Sequence, residues 1–180
     1  MPRIDPIDLP NAGEQVQQAL TKHCTDDNAR ITNMKATLAH SLTAFQVYMQ
    51  WYPLYREVQQ IIGERMSYLF AHAISLSANC PLCTMYFRKV IIDAGETPEH
   101  LEVNPEEQHL LDFGAAIAAN TGIIVDEIFY PLSKRYSESE MVILIAFAGQ
   151  MIATNIFNNV IETKIDDYLQ DYLPTPSHKK

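Results

Sequence analysis

Positive charge is scarce in this chain: 13 Lys and Arg stand against 22 Asp and Glu, a formal net charge of -9. A phosphate backbone would be repelled by most of such a surface, so nucleic-acid binding is excluded as a leading reading. No stretch reaches the ~18 apolar residues that suggest a membrane span. The opening Met1-Pro2-Arg3-Ile4-Asp5-Pro6 also lacks the apolar run of a signal peptide. The expectation is a soluble, cytoplasmic protein with neither membrane nor nucleic-acid partners. Only 3 cysteines are present. In a reducing compartment that small number, with two spaced C-x-x-C, points to redox or metal chemistry rather than to a disulfide framework.

The chain does contain enough apolar material for one core: 47% hydrophobic residues in 180, at 20.5 kDa. No repeat and no persistent strand-like alternation is found, and the apolar residues recur at three and four. Met34, Leu38, Leu42, Phe45 and Met49 form one such stripe, and Pro53 is predicted to end that helix. A second run after Gly63 carries Met66, Leu69, Phe70, Ala73, Ile74 and Leu76 and stops near Asn79. Pro81 suits a first helical position, which makes Cys80 the N-cap and places Cys83 in the first turn of a helix closed by Gly95. Thr97-Pro98-Glu99 and Asn104-Pro105-Glu106-Glu107 each read as a helix start, predicting a short turn of helix and then a longer helix to Ala119. Val125 to about Lys134 follows, kinked or shortened by Pro131. Ser137-x-x-Glu140 is a capping box for the most apolar helix, Met141 to about Val160. Its all-round apolarity calls for the middle of a bundle or the surface of a second subunit. The predicted organisation is an N-terminal extension over 1–27, a helical domain over 28–173 and a disordered tail over 174–180 that includes His178.

Cys80-Pro81-Leu82-Cys83 puts two thiols at a helix start, where unpaired N–H groups and the helix dipole favour a thiolate. An attack on a peroxide or disulfide can then end as an internal Cys80–Cys83 bridge. Two alternatives stand beside this one. Buried cysteines often merely pack, and a structural zinc site would need four ligands that no second C-x-x-C or H-x3-H supplies. Cys24, within His23-Cys24-Thr25-Asp26-Asp27, reads as an incidental thiol. His72 reads first as a core histidine and second as a proton carrier. Tyr68 shares its helical face and would either donate a proton or pack. His40, His100 and His109 are not diagnostic, and Glu102, Glu106 and Glu107 read as a solvated helix start.

The stretch from Ser67 through Tyr68 and His72 to Cys83 resembles the core of the alkylhydroperoxidase D / carboxymuconolactone decarboxylase superfamily. Gly95-Glu96-Thr97-Pro98-Glu99 is similar to that family's G-x-S/T-x-E passage, and Leu38-Ala39-His40 to its L-A-H opening. Asn155-Ile156-Phe157-Asn158-Asn159 with Asp166-Asp167-Tyr168-Leu169 is similar to its closing segment. Together these fragments cover roughly residues 30–170. The resemblance implies an all-α helical bundle, assembled as a homo-oligomer of two, three or six copies, with no cofactor. In peroxidase members the second cysteine attacks a hydroperoxide, the first resolves it, and a Glu–His pair relays the proton. That pattern assigns attack to Cys83 and resolution to Cys80, although a helix cap alone would favour Cys80. The Glu position of the pattern holds Tyr68 and the His position holds Phe87, so the usual relay is missing.

The sequence-level site is therefore Cys80 and Cys83, with Tyr68 and His72 as substitute proton donors. The predicted activity is thiol–disulfide exchange or weak alkylhydroperoxidase-like reduction of a small hydroperoxide or disulfide, recharged by a dithiol reductant partner. Two alternatives are carried: a catalytically silent scaffold holding an apolar ligand around Phe70, Phe87 and the cysteines, and lactone decarboxylation.

Overall fold

The computed structural model describes residues 1–120 and 122–174; the predicted tail beyond Pro174, His178 included, lies outside the described residues. Eight α-helices and no strand occur among them, so the predicted all-α class holds. The helices are α1 Glu14–Asp26, α2 Asn33–Leu38, α3 Leu42–Met49, α4 Trp51–Ser77, α5 Pro81–Asp93, α6 Pro105–Ala119, α7 Asp126–Ser133 and α8 Glu138–Ile161.

The stripe from Met34 to Met49 is two helices rather than one. Ser41 leaves helical geometry at φ -132° and its hydroxyl accepts the Ala44 N–H, so it caps α3 and breaks the run. The periodicity survives the break because Leu38, Phe45 and Met49 face one core cluster. Pro53 ends nothing: it sits in the first turn of α4, where a missing N–H costs no helical bond. Helix α4 kinks at Gly63, whose φ of 78° lies in the left-handed region open to glycine. The predicted run from Met66 to Leu76 forms its second half. Thr97-Pro98-Glu99 forms a turn, closed by the His100 N–H on the Thr97 carbonyl at 2.9 Å, not a turn of helix. The capping signals hold at Asn104, where Glu107 completes a capping box, and at Ser137 with Glu140.

Helix α4 is the hub, packed against α5, α6 and α8. Phe70, Ile74, Phe113, Leu144 and Phe147 are fully buried among them. Gly114 of α6 is needed at this contact, because a Cβ there would come within 2.5 Å of the Phe70 ring. Helix α1 and the preceding chain fold onto this body: Leu20 packs with Leu38 and Phe45, and the Arg3 N–H reaches the Ile161 carbonyl at 2.8 Å. A 3-10 turn over Asp167–Tyr172 closes over α5 through buried Leu169.

Helix α8 is two-sided. Leu144, Phe147, Ala148 and Met151 fill the bundle, while Val142, Ile145, Ile156 and Val160 face outward. By length and average composition it passes as a possible membrane span, as the core helix of a bundle also does, although no uninterrupted run of that length exists. Scattered small and polar residues such as Gly149, Thr154 and Asn155 interrupt a strict apolar count without lowering its average much.

Candidate active site

Asn79, at φ 50°, turns the chain out of α4 and delivers Cys80 in an extended conformation as the N-cap of α5, with Pro81 at the first helical position. The cysteines therefore sit where the sequence placed them. Cys80 is 1% exposed and Cys83 7%. Both are free thiols. The Cys83 thiol hydrogen-bonds to the Cys80 sulfur, and this contact is the main force holding Cys80 below the usual thiol range. The amides of Cys83 and Leu82 at the helix start act in the same direction, and burial opposes them. Cys83 is pushed well above the usual range by that neighbouring sulfur and by burial. The first proton lost by the pair therefore leaves its charge on Cys80.

Two asparagines of α8 hold this turn from the opposite side. Asn158 donates its side-chain amide to Cys83 Sγ at 3.3 Å, and its Oδ1 accepts the Thr163 hydroxyl at 2.9 Å, which fixes the amide orientation. Asn159 donates to the carbonyls of Ala78 and Asn79 at 3.3 and 3.2 Å. Neither was singled out from the sequence as a site residue. The available signal was a pair of amides at the end of the most apolar helix, one of them on its buried face.

Cys83 also lines a cavity of about 530 Å³, together with Phe87. Much of its wall is aromatic: Trp51 stacks on Tyr55 at 4.4 Å between centroids, and Tyr52, Tyr86 and Tyr168 complete that side. Burial raises the hydroxyls of Tyr52, Tyr55 and Tyr168 far above their ordinary range, so they stay protonated. Lys35 lines the same cavity, and burial lowers its ammonium to about 8. Among the described residues no cluster of three or more His, Cys, Asp or Glu is gathered to hold a metal.

No protein-family profile matches the chain, and no curated protein sequence does. Solved structures do match. The debrominase Bmp8, as a cysteine-to-alanine variant in complex with 2,3,4-tribromopyrrole, superposes with TM-score 0.77 at 15% identity, covering 94% of each chain. Its apo form gives 0.65 at 14%, over 94% of this chain and 95% of that one. A peroxidase-related protein from Silicibacter sp. TM1040 gives 0.67 at 13%, over 92% and 93%. The fold is alkylhydroperoxidase D-like.

Within this alkylhydroperoxidase D-like bundle the other sequence-level site residues lie apart from the cavity. The Tyr68 hydroxyl donates to Glu96 Oε1 at 2.7 Å, and burial with that carboxylate pushes it up to about 12. Glu96 is in turn paired with Arg65 at 2.6 Å. His72 lines a second, more open hollow with Leu76, Gln108 and Asp112, and burial lowers it to about 4. Neither Tyr68 nor His72 lines the cavity that Cys83 opens into. Phe70, expected beside the cysteines, is instead in the α4–α6–α8 core, and only Phe87 of that pair reaches the cavity. Glu106 and Glu107 are engaged in ion pairs with Arg135 and Arg65. Cys24 lies close enough to Lys35 for their charges to interact.

Proposed function

We propose that this protein is a dithiol reductase that delivers two electrons from Cys80 and Cys83 to a small, predominantly apolar substrate in the aromatic cavity. One observation carries the reading: the sulfur that lines the cavity, Cys83, is hydrogen-bonded to the sulfur with the depressed pKa, Cys80. Proton transfer from Cys83 to the Cys80 thiolate exposes a Cys83 thiolate to the substrate and leaves a protonated Cys80 beside it. With a hydroperoxide, Cys83 sulfur takes the terminal oxygen, the O–O bond breaks, and the alkoxide takes the proton from Cys80. The Cys80 thiolate so formed attacks the Cys83 sulfenic acid, closing the disulfide and expelling hydroxide, which takes back from solvent the proton the pair first released and leaves as water. The balance is one hydroperoxide and two thiols to one alcohol, one disulfide and one water. Cys80 thus serves as both proton carrier and resolving thiol, which supplies the step that Tyr68 and Phe87 leave open in the family pattern. An external dithiol reductant restores the pair by exchange.

A second reading has its own support in the aromatic wall and the likeness to a debrominase. The same pair reduces a bromoarene: one C–Br bond and two thiols give one C–H bond, a disulfide, a proton and bromide. The outward apolar face of α8 supports self-association of the chain.

The test is a titration of the reduced protein with cumene hydroperoxide, and separately with a bromopyrrole, followed by mass spectrometry. One equivalent should convert Cys80 and Cys83 into a disulfide, leaving Cys24 free, with alcohol or bromide released in equal amount. If both thiols survive these substrates and a small organic disulfide, the reductase reading falls and the cavity is left as a binding site.

A further inference from the structure

The cavity wall has a charge character that the chain as a whole lacks. Four cations line it, Arg30, Lys35, Arg56 and Lys89, against Asp27 and Asp166, in a protein whose net charge is -9. Arg56 is committed to Asp27 at 3.0 Å and Lys89 to Asp93. Lys35 has no such partner: it is 5% exposed, and among the described residues no carboxylate lies within ion-pair distance of its Nζ. Its Nζ donates to the Arg30 carbonyl at 2.8 Å and to the Tyr52 hydroxyl at 2.7 Å. An ammonium has three donors, so one remains. A buried cation without a counter-charge is costly, and a binding pocket is where such a cost is offset by an anionic ligand. The Arg30 guanidinium lies 4.3 Å from the centroid of the Tyr168 ring on the same wall, also with no carboxylate within ion-pair distance among the described residues.

We propose that the cavity selects a planar aromatic ring carrying one negative group, a carboxylate or phenolate, with the ring against the Trp51–Tyr55 side and the anion on Lys35. This rests on the cavity being the substrate site and adds a substrate class to it, but its test needs no thiol chemistry. Several groups set the charge state of Lys35. Cys24, Asp27 and Asp166 favour its protonation, Arg30 opposes it, and His23 and the Tyr52 hydroxyl adjoin it. An anion on Nζ would add to the first set and keep the amine protonated.

Trp51 is the single tryptophan and lines the cavity, so its fluorescence reports occupancy directly. The probe is 4-bromobenzoate, with the neutral 4-bromobenzamide as its isostere, titrated into reduced wild type, Lys35→Gln and Lys35→Arg. The benzoate should bind wild type at least about tenfold more tightly than the amide, the scale of one charge-assisted contact. Lys35→Gln should lose that margin while keeping amide binding, and Lys35→Arg should recover most of it. Binding is read with the thiols held reduced and needs no turnover, so a failed reductase reading leaves this result standing. Benzoate affinity of wild type should fall as pH rises through about 8, where Lys35 loses its proton. Equal binding of acid and amide, no binding of either, or unchanged benzoate affinity in Lys35→Gln would each overturn the proposal.

Discussion

Asn158 donates its amide to the sulfur of Cys83 at 3.3 Å, joining the last turn of α8 to the first turn of α5 across 75 residues of sequence. The same amide favours the thiolate form of both cysteines. Replacing it with leucine removes one hydrogen bond, a net effect of about 0.5–1.5 kcal/mol. Alkylation of the pair by iodoacetamide at pH 7 should therefore slow by roughly two- to tenfold in Asn158→Leu. An unchanged rate would show that the amide does not tune the dithiol.

The two cysteines should titrate differently once separated. In Cys83→Ala the remaining Cys80 loses its largest stabilising contact, so its pKa should rise from the depressed range of the pair. In Cys80→Ala the remaining Cys83 loses the neighbour that most raises it, so its pKa should fall, yet stay above an ordinary thiol because burial persists. Thiolate absorbance at 240 nm against pH reads both, and shifts in the opposite directions would refute the assignment of the first charge to Cys80.

Tyr68→Phe and His72→Gln should leave dithiol oxidation within about twofold of wild type, well short of the ~10²–10⁴ that a positioned acid contributes. The reason is placement, since Tyr68 is committed to Glu96 and His72 borders another hollow. A loss of tenfold or more in either variant, measured as hydroperoxide consumed per chain, would return that residue to the site.

Lys35 makes stability depend on pH in a definite direction. Its pKa is about 8 in the folded chain and 10.5 as the reference value, so between these limits the unfolded state binds more protons. Stability should consequently rise with pH from about 8 to 10.5, by an amount on the order of 3 kcal/mol if the full shift is expressed. Lys35→Met should flatten that part of the profile in urea unfolding followed by circular dichroism. A profile that keeps its slope in Lys35→Met would place the titrating group elsewhere.

Gly114→Ala should destabilise the bundle. The added Cβ meets the Phe70 ring at 2.5 Å and Ile74 at 3.0 Å, both fully buried side chains with no solvent to move into. Overpacking of this kind costs about 1–3 kcal/mol, partly offset by the ~1 kcal/mol that alanine gains over glycine in a helix. A Tm lowered by a few degrees is the expected result, and a raised Tm would mean that α4 and α6 can part without cost.

Local signals were legible wherever a backbone rule acts within a few residues. Ser137-x-x-Glu140, Asn104-Pro105 and Cys80-Pro81 set three helix starts correctly, because caps and a first-turn proline satisfy or omit the same orphan N–H groups in any context. The same rules misled where two competed. Pro53 reads as a stop after α3 and serves as part of the α4 start, and Ser41 cuts a stripe whose period continues across the cut. Along the second half of α4 the spacing put Tyr68 and His72 one turn apart, but it carried no information about whether that face met the cysteines.

The sequence by itself determined the all-helical class and the position of two thiols at a helix entry, since both follow from short-range periodicity and capping. Only the tertiary structure decided what those thiols meet. Cys83 gained Asn158 and an aromatic cavity with a buried Lys35, while Tyr68 and His72 turned to other partners. The physical reason is that the cavity forms between segments far apart in the chain, such as Met34 and Asn158, 124 positions from one another. Their meeting depends on how whole helices pack, and no pattern within a single helix encodes it.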